Sequence, residues 1–215
     1  MPAPSVTSHG RCEENGCPLE RGRSPAASVP GDNNAERCRI SRTTRGWKRR
    51  LSHAVHFPGG DAQLIHVLAD YLAAGWASGG VGVIIATAEH RALLHRLLET
   101  WGLSAAASQG RLIQLDARQC LSLFMRGGIP DRVLFDQTVG SLVRQHATEQ
   151  PLRAYGEMVD VLWAEGNPRA ALQLEALWQE LQGHVPFRLL CSYTESHLDA
   201  DGRDAVGRVQ DYISS

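Results

Sequence analysis

The run Val81–Thr87, VGVIIAT, is apolar on both of its alternating faces. A strand with one wet face alternates apolar and polar residues, so a continuous apolar run reads as a strand covered on both sides. Such cover has to come from helices above and below the sheet. Strand-like runs recur at about His53–Phe57, Leu112–Leu115, Leu152–Glu157 and Phe187–Tyr193, with helical spacing between them. After Pro58-Gly59-Gly60, Asp61 is expected to cap a helix with Leu64, Leu68, Tyr71 and Leu72 on one face. Thr87 is expected to cap a helix carrying Leu94 and Leu98, which Gly102 stops. Asp116 caps a short helix, and another runs from Asp131 to Ala147. Asn167-Pro168 starts a last helix, with Leu174, Leu177, Trp178 and Leu181 in register, and Gly183 ends it. The alternation predicts an α/β fold of three layers. A mostly parallel sheet of about five strands lies between helices on both faces.

In such sheets ligands sit beyond the carboxyl ends of the strands. The positions of interest are therefore Phe57–Asp61, Thr87–His90, Asp116–Arg118, Glu157 and Tyr193.

Charge separates this folded stretch from what precedes it. Residues 1–52 carry a balance of +5 and the remainder −6, within a total of −1. Residues 1–50 are rich in Ser, Pro, Gly, Asn and Arg, lack apolar periodicity, and read as a disordered basic tail. Residues 51–194 form the domain, and 195–215 a C-terminal extension. The acidic domain argues against a nucleic-acid surface there.

The five cysteines are Cys12, Cys17, Cys38, Cys120 and Cys191. Their spacing implies neither a disulfide framework nor paired zinc hooks, and a reducing cytoplasm is expected. No apolar run is long enough to span a bilayer, and the N-terminus lacks a signal-peptide core.

Lys48 is the only lysine. The first strand-to-helix turn reads FPGGDAQ, so no Gly-Lys pair can form a Walker loop, and Asp61 places a negative charge where phosphate would sit. The G-x-G-x-x-G and G-x-S-x-G patterns are also missing. His53 and His56 stand three apart on a strand and point to opposite faces, so they share no metal. No metal, cofactor or catalytic residue is expected. Glu157, at a strand's carboxyl end beside Tyr155, faces either the ligand crevice or a salt bridge with Arg153.

The segments HAVHF, VGVIIATAEHRALLHRLL, RLIQLDA, RAYGEMVDVLWAEGNPRAALQLEALWQEL and FRLLCSY together resemble the MEDS domain. That sensory domain is named for methanogens, methylotrophs and the regulator of dichloromethane dehalogenase. The resemblance spans about His53–Tyr193, and its specific part is GEMV, LW-x-E-G-N and LE-x-LW. It implies a RecA/KaiC-like core that has lost its P-loop and a small hydrocarbon-derived or methylated ligand. It also implies a partner signalling protein, a kinase or a transcription regulator. By position His53, His56 and Phe57 match the first-strand motif, Glu157 the G-E-M block, and Cys191 and Tyr193 the last strand.

The expected function is a non-catalytic small-molecule-sensing module in bacterial signalling or transcriptional control. Phe57, Tyr155, Trp163 and Tyr193 would hold the ligand, and His56 and Glu157 would orient it, with Asp61, His53 and Cys191 nearby. One alternative is a ligand-independent interaction regulator of a kinase or sigma-factor system. Another is a divergent nucleotide-binding protein.

Overall fold

Strands apolar on both faces need helices on both sides, and the sheet is built that way. The computed structural model describes residues 52–198, 200–207 and 211–212; the tail of residues 1–50 lies outside them. His53–His56 (β1) leads into Asp61–Trp76 (α1), then Val81–Ala86 (β2), Ala88–Thr100 (α2) and Leu112–Asp116 (β3). Ala117–Phe124 (α3) follows β3, and a broken helical stretch over Arg132–Ala147 leads to Leu152–Gly156 (β4). Met158–Ala164 (α4) and Pro168–His184 (α5) precede Arg188–Ser192 (β5), and Ala200–Gly207 (α6) precedes Asp211–Tyr212 (β6).

The sheet order is β3-β2-β4-β5-β1-β6, and every pairing within it is parallel. The sixth strand, beyond the five expected, falls in the C-terminal extension and pairs with β1 at Ala54 and Val55. Two apolar cores flank the sheet. Ala54, Ile84, Ala86, Tyr155 and Leu190 pack against α1 and α2. Val55, Val83, Ile85, Ala154, Leu189 and Cys191 pack against α3, α4 and α5. Alternating strand residues thus serve opposite cores, as the period of two requires.

Local chemistry sets most helix starts. Thr87 Oγ1 accepts from His90 N at 3.4 Å, and Asn167 Oδ1 accepts from Ala170 N at 3.1 Å. Asp116 Oδ1 accepts from Arg118 N and Gln119 N, both at 3.0 Å. These side chains satisfy amides that have no partner inside the helix.

Asp61 behaves differently from expectation. Gly60 occupies the cap position of α1 without a side-chain hydrogen bond, and Asp61 is the first helical residue. Its carboxylate turns toward His90 instead. The helix expected over Asp131–Ala147 is also interrupted. Arg132–Phe135 and Ser141–Ala147 are α-helical, but Asp136–Gly140 is a π-turn. Arg144 bridges it, donating to the Asp136 carboxylate at 2.7 Å and to the Asp136 carbonyl at 2.9 Å. The long helix α5 runs one residue past Gly183, to His184.

Four strands end one residue earlier than their apolar runs suggest. Phe57, Thr87, Glu157 and Tyr193 therefore stand just outside the carboxyl ends of β1, β2, β4 and β5.

Candidate functional site

Glu157 follows β4 directly, and its backbone N–H continues the ladder by donating to Ile85 O at 2.9 Å. The residue is only 2% exposed. A buried carboxylate needs donors, and here they come from the end of β2 and the first turn of α2. Thr87 N donates to Oε2 at 2.9 Å, and the Thr87 hydroxyl donates to Oε1 at 3.4 Å. His90 Nδ1 donates to the same Oε1. The other ring nitrogen of His90 lies 3.4 Å from Asp61 Oδ1.

The hydrogen bond to Glu157 raises the His90 pKa to about 9, against the opposing effect of its own burial. His90 is therefore an imidazolium at neutral pH. Burial falls steeply along the chain of contacts. The Glu157 side chain is 3% exposed, His90 15% and Asp61 72%. A buried carboxylate, an imidazolium and an exposed carboxylate thus connect the turns that follow β1, β2 and β4.

Neighbouring turns are tied in the same style. Arg91 Nη2 donates to Asp116 at 2.8 Å, joining α2 to the end of β3. Backbone N–H donation from Gln119, together with Arg91, holds the Asp116 carboxyl below its ordinary range. Asp160, in the first turn of α4, accepts from Thr194 N and the Thr194 hydroxyl, both at 2.9 Å, and meets His197 Nδ1 at 3.0 Å.

A second polar cluster is buried under the face that carries α5. Glu175 has no exposed surface, although it sits mid-helix. Tyr193 OH donates to its Oε1 at 2.6 Å, and His53 Nε2 stands 3.2 Å from its Oε2. Cys191 Sγ lies 3.5 Å from His53 Nε2 and 3.9 Å from Glu175 Oε2. Burial, then the Glu175 charge, push the Cys191 thiol and the Tyr193 phenol well above their usual values. Phe57 and Trp163 flank the Tyr193 ring, each with its centroid 6.0 Å away.

On the opposite face Tyr155 OH and Ser192 Oγ share a hydrogen bond of 2.6 Å. His56 is in register with Ser192 and is 1% exposed. Neither of its ring nitrogens has a hydrogen-bond partner among the described residues, and burial lowers its pKa, keeping the ring neutral.

The profile of a family described as "MEthanogen/methylotroph, DcmR Sensory domain" (MEDS) matches residues 52–209. The chain belongs to the MEDS family. MEDS is a sensory domain, which gives this chain a sensing role in signalling. Among curated proteins no match is found. No helix of the described residues is long and apolar enough to cross a membrane.

The nine residues expected at the site of this MEDS domain occupy three places. Asp61 and Glu157 meet through His90 at the carboxyl edge. His53, Cys191 and Tyr193 gather around Glu175, with Phe57 and Trp163 beside Tyr193. Tyr155 lies on the α1–α2 side with Leu190, so it does not share a wall with Tyr193. Strand alternation is the cause. Tyr155 is in register with Leu190, and Tyr193 is an odd number of residues further on. His56 falls on the Tyr155 side for the same reason.

The salt bridge weighed for Glu157 and Arg153 does not form. Arg153 instead donates to Tyr71 O at 3.0 Å and lies over the Tyr71 ring, 4.8 Å from its centroid. His90 falls within the carboxyl-edge positions expected from the sequence, though without a role, and Glu175 was not foreseen. Glu175 carried a signal. It falls on the stripe of Ala171, Leu174 and Trp178, where a carboxylate cannot reach water. A groove of about 370 Å³ opens elsewhere, beside Arg132, Asp136, Arg144 and Glu180, and contains none of the nine.

Proposed function

We propose that this MEDS domain binds a small ligand at the Asp61–His90–Glu157 edge and performs no chemistry on it. The observation that carries the reading is the graded ion chain at the carboxyl ends of parallel strands, where folds of this class take their ligands. The ligand has a short apolar body and one hydrogen-bond acceptor, as a hydrocarbon-derived or methylated compound does. Its acceptor displaces the exposed Asp61 carboxylate from His90 Nε2, while Glu157 holds the other side of the ring. Releasing Asp61 frees the first turn of α1, and that turn is the element shifted between two states. The change is read by a partner signalling protein, a kinase or a transcription regulator.

The non-catalytic character is supported by Lys48 being the only lysine, upstream of β1, and by the absence of a Gly-Lys pair for a phosphate cradle. The core then corresponds to a RecA/KaiC-like fold without its P-loop.

Thermal unfolding of the full chain against small alcohols, aldehydes, halomethanes and methylated compounds tests the proposal. At a hundredfold excess over Kd a true ligand stabilises by about 2.7 kcal/mol, which raises Tm by several degrees. The shift is expected to vanish in Glu157→Gln. If no compound moves Tm at millimolar concentration, the reading fails. ATP turnover that Glu157→Gln abolishes would place the domain among nucleotide hydrolases instead.

A further inference from the structure

We infer that His53, Glu175 and Cys191 form a zinc-binding site. The three donors come from β1, α5 and β5, and all three residues are buried. Their ligating atoms lie within 4.8 Å of one another. The individual separations are 3.2 Å (Nε2 to Oε2), 3.5 Å (Nε2 to Sγ) and 3.9 Å (Sγ to Oε2). One face of a zinc tetrahedron with ordinary Zn–N, Zn–O and Zn–S bonds has edges of about 3.4 to 3.6 Å. The triangle already present brackets those edges, so a metal enters with small side-chain shifts.

Charge points the same way. Glu175 is completely buried, and its ion-pair partner among the described residues is His53 alone. A fully buried carboxylate is costly unless hydrogen bonds and a cation balance it. A divalent ion bound by one carboxylate, one thiolate and one neutral imidazole gives a neutral site. Binding replaces the Cys191 S–H bond with S–Zn and the Nε2–H bond of a His53 paired with Glu175 with N–Zn, and both protons pass to solvent. The ion itself is neither oxidised nor reduced. Mixed N, O and S donors select zinc over magnesium or calcium, which take oxygen alone.

Outer support is present for Glu175, while His53 Nδ1 has no hydrogen-bond partner among the described residues. Tyr193 OH holds the second oxygen of Glu175 at 2.6 Å, fixing the carboxylate so that Oε2 faces His53 and Cys191. Three protein donors leave the fourth position to water or a small donor. The cluster lies on the face away from α1 and α2, and the inference stands whether or not the carboxyl edge binds a ligand.

The test uses the full chain with Cys12, Cys17 and Cys38 replaced by serine, so that tail thiols cannot contribute. After stripping with a strong chelator, the protein is titrated with zinc, and separately with cobalt. Expected are one zinc per chain by elemental analysis and a thiolate-to-cobalt charge-transfer band. Cys191→Ser should abolish the band, Cys120→Ala should leave it, and Tyr193→Phe should keep it while weakening affinity about tenfold. Substoichiometric zinc, a missing band, or a band that survives Cys191→Ser overturns the inference. If Cys191→Ser does not fold, the parent chain decides alone, by the presence or absence of stoichiometric zinc and the band.

Discussion

His90 turns the carboxyl edge into a titrating element, and the direction of its effect follows from where its proton sits. The folded pKa of about 9 exceeds the ordinary 6.5 because Glu157 accepts from the ring. Below pH 6.5 the folded and unfolded chains both carry the proton, and the contribution is fully present. Between 6.5 and 9 the unfolded chain gives up its proton first, so the contribution shrinks, and above 9 it is gone. Its upper limit is about 3 kcal/mol. Urea unfolding should therefore show stability falling as pH rises from 6.5 to 9. Glu157→Gln should lose most of that slope, and the difference between the two proteins isolates His90 from the thiols. An unchanged slope would mean that the ring is not held as an imidazolium. At the other cluster, Tyr193→Phe leaves Glu175 Oε1 without its donor. The expected cost is about 1–3 kcal/mol in the same measurement.

At the scale of elements, the caps were readable because each one is settled within three residues. Thr87, Asp116 and Asn167 all bond the amides their positions predict. Asp61 was misread because a carboxylate in a first turn has two satisfactory partners, its own helix and the histidine across the turn, and only the fold brings the second within reach. Asn167→Ala should cost about 1 kcal/mol in thermal unfolding. The glycine before β2 is constrained by neighbours that sequence does not reveal. A Cβ at Gly80 would stand 2.3 Å from Pro151 O and 3.0 Å from Gly75 O, both backbone atoms. Gly80→Ala should therefore destabilise by about 1–3 kcal/mol through overpacking. Gly183, near the end of α5, has open space around it. There the same change should stabilise by up to about 0.5–1 kcal/mol. Equal effects at the two positions would contradict the packing described.

For the whole molecule, the architecture was legible and the convergence of side chains was not. The run VGVIIA declares a doubly covered strand by composition alone, and with four further strand-like runs and intervening helices it leaves little choice but a parallel sheet. Which turns meet depends on strand order. The sequence does not state that β4 lies beside β2, yet that adjacency is what brings Glu157 to Thr87 and His90. The placement of β5 beside β1 likewise carries Cys191 to His53. Tyr155 and Tyr193 looked like one wall because both belong to carboxyl-end segments, and register separates them onto opposite faces.

The sensing account makes His90 the group that a ligand must touch. Its ring resonances, followed by NMR through a pH titration with and without a compound that raises Tm, report on that contact directly. The account predicts that the ligand moves these resonances and shifts the His90 pKa away from about 9 as Asp61 is displaced. A ligand that binds while the His90 titration stays unchanged would contradict it.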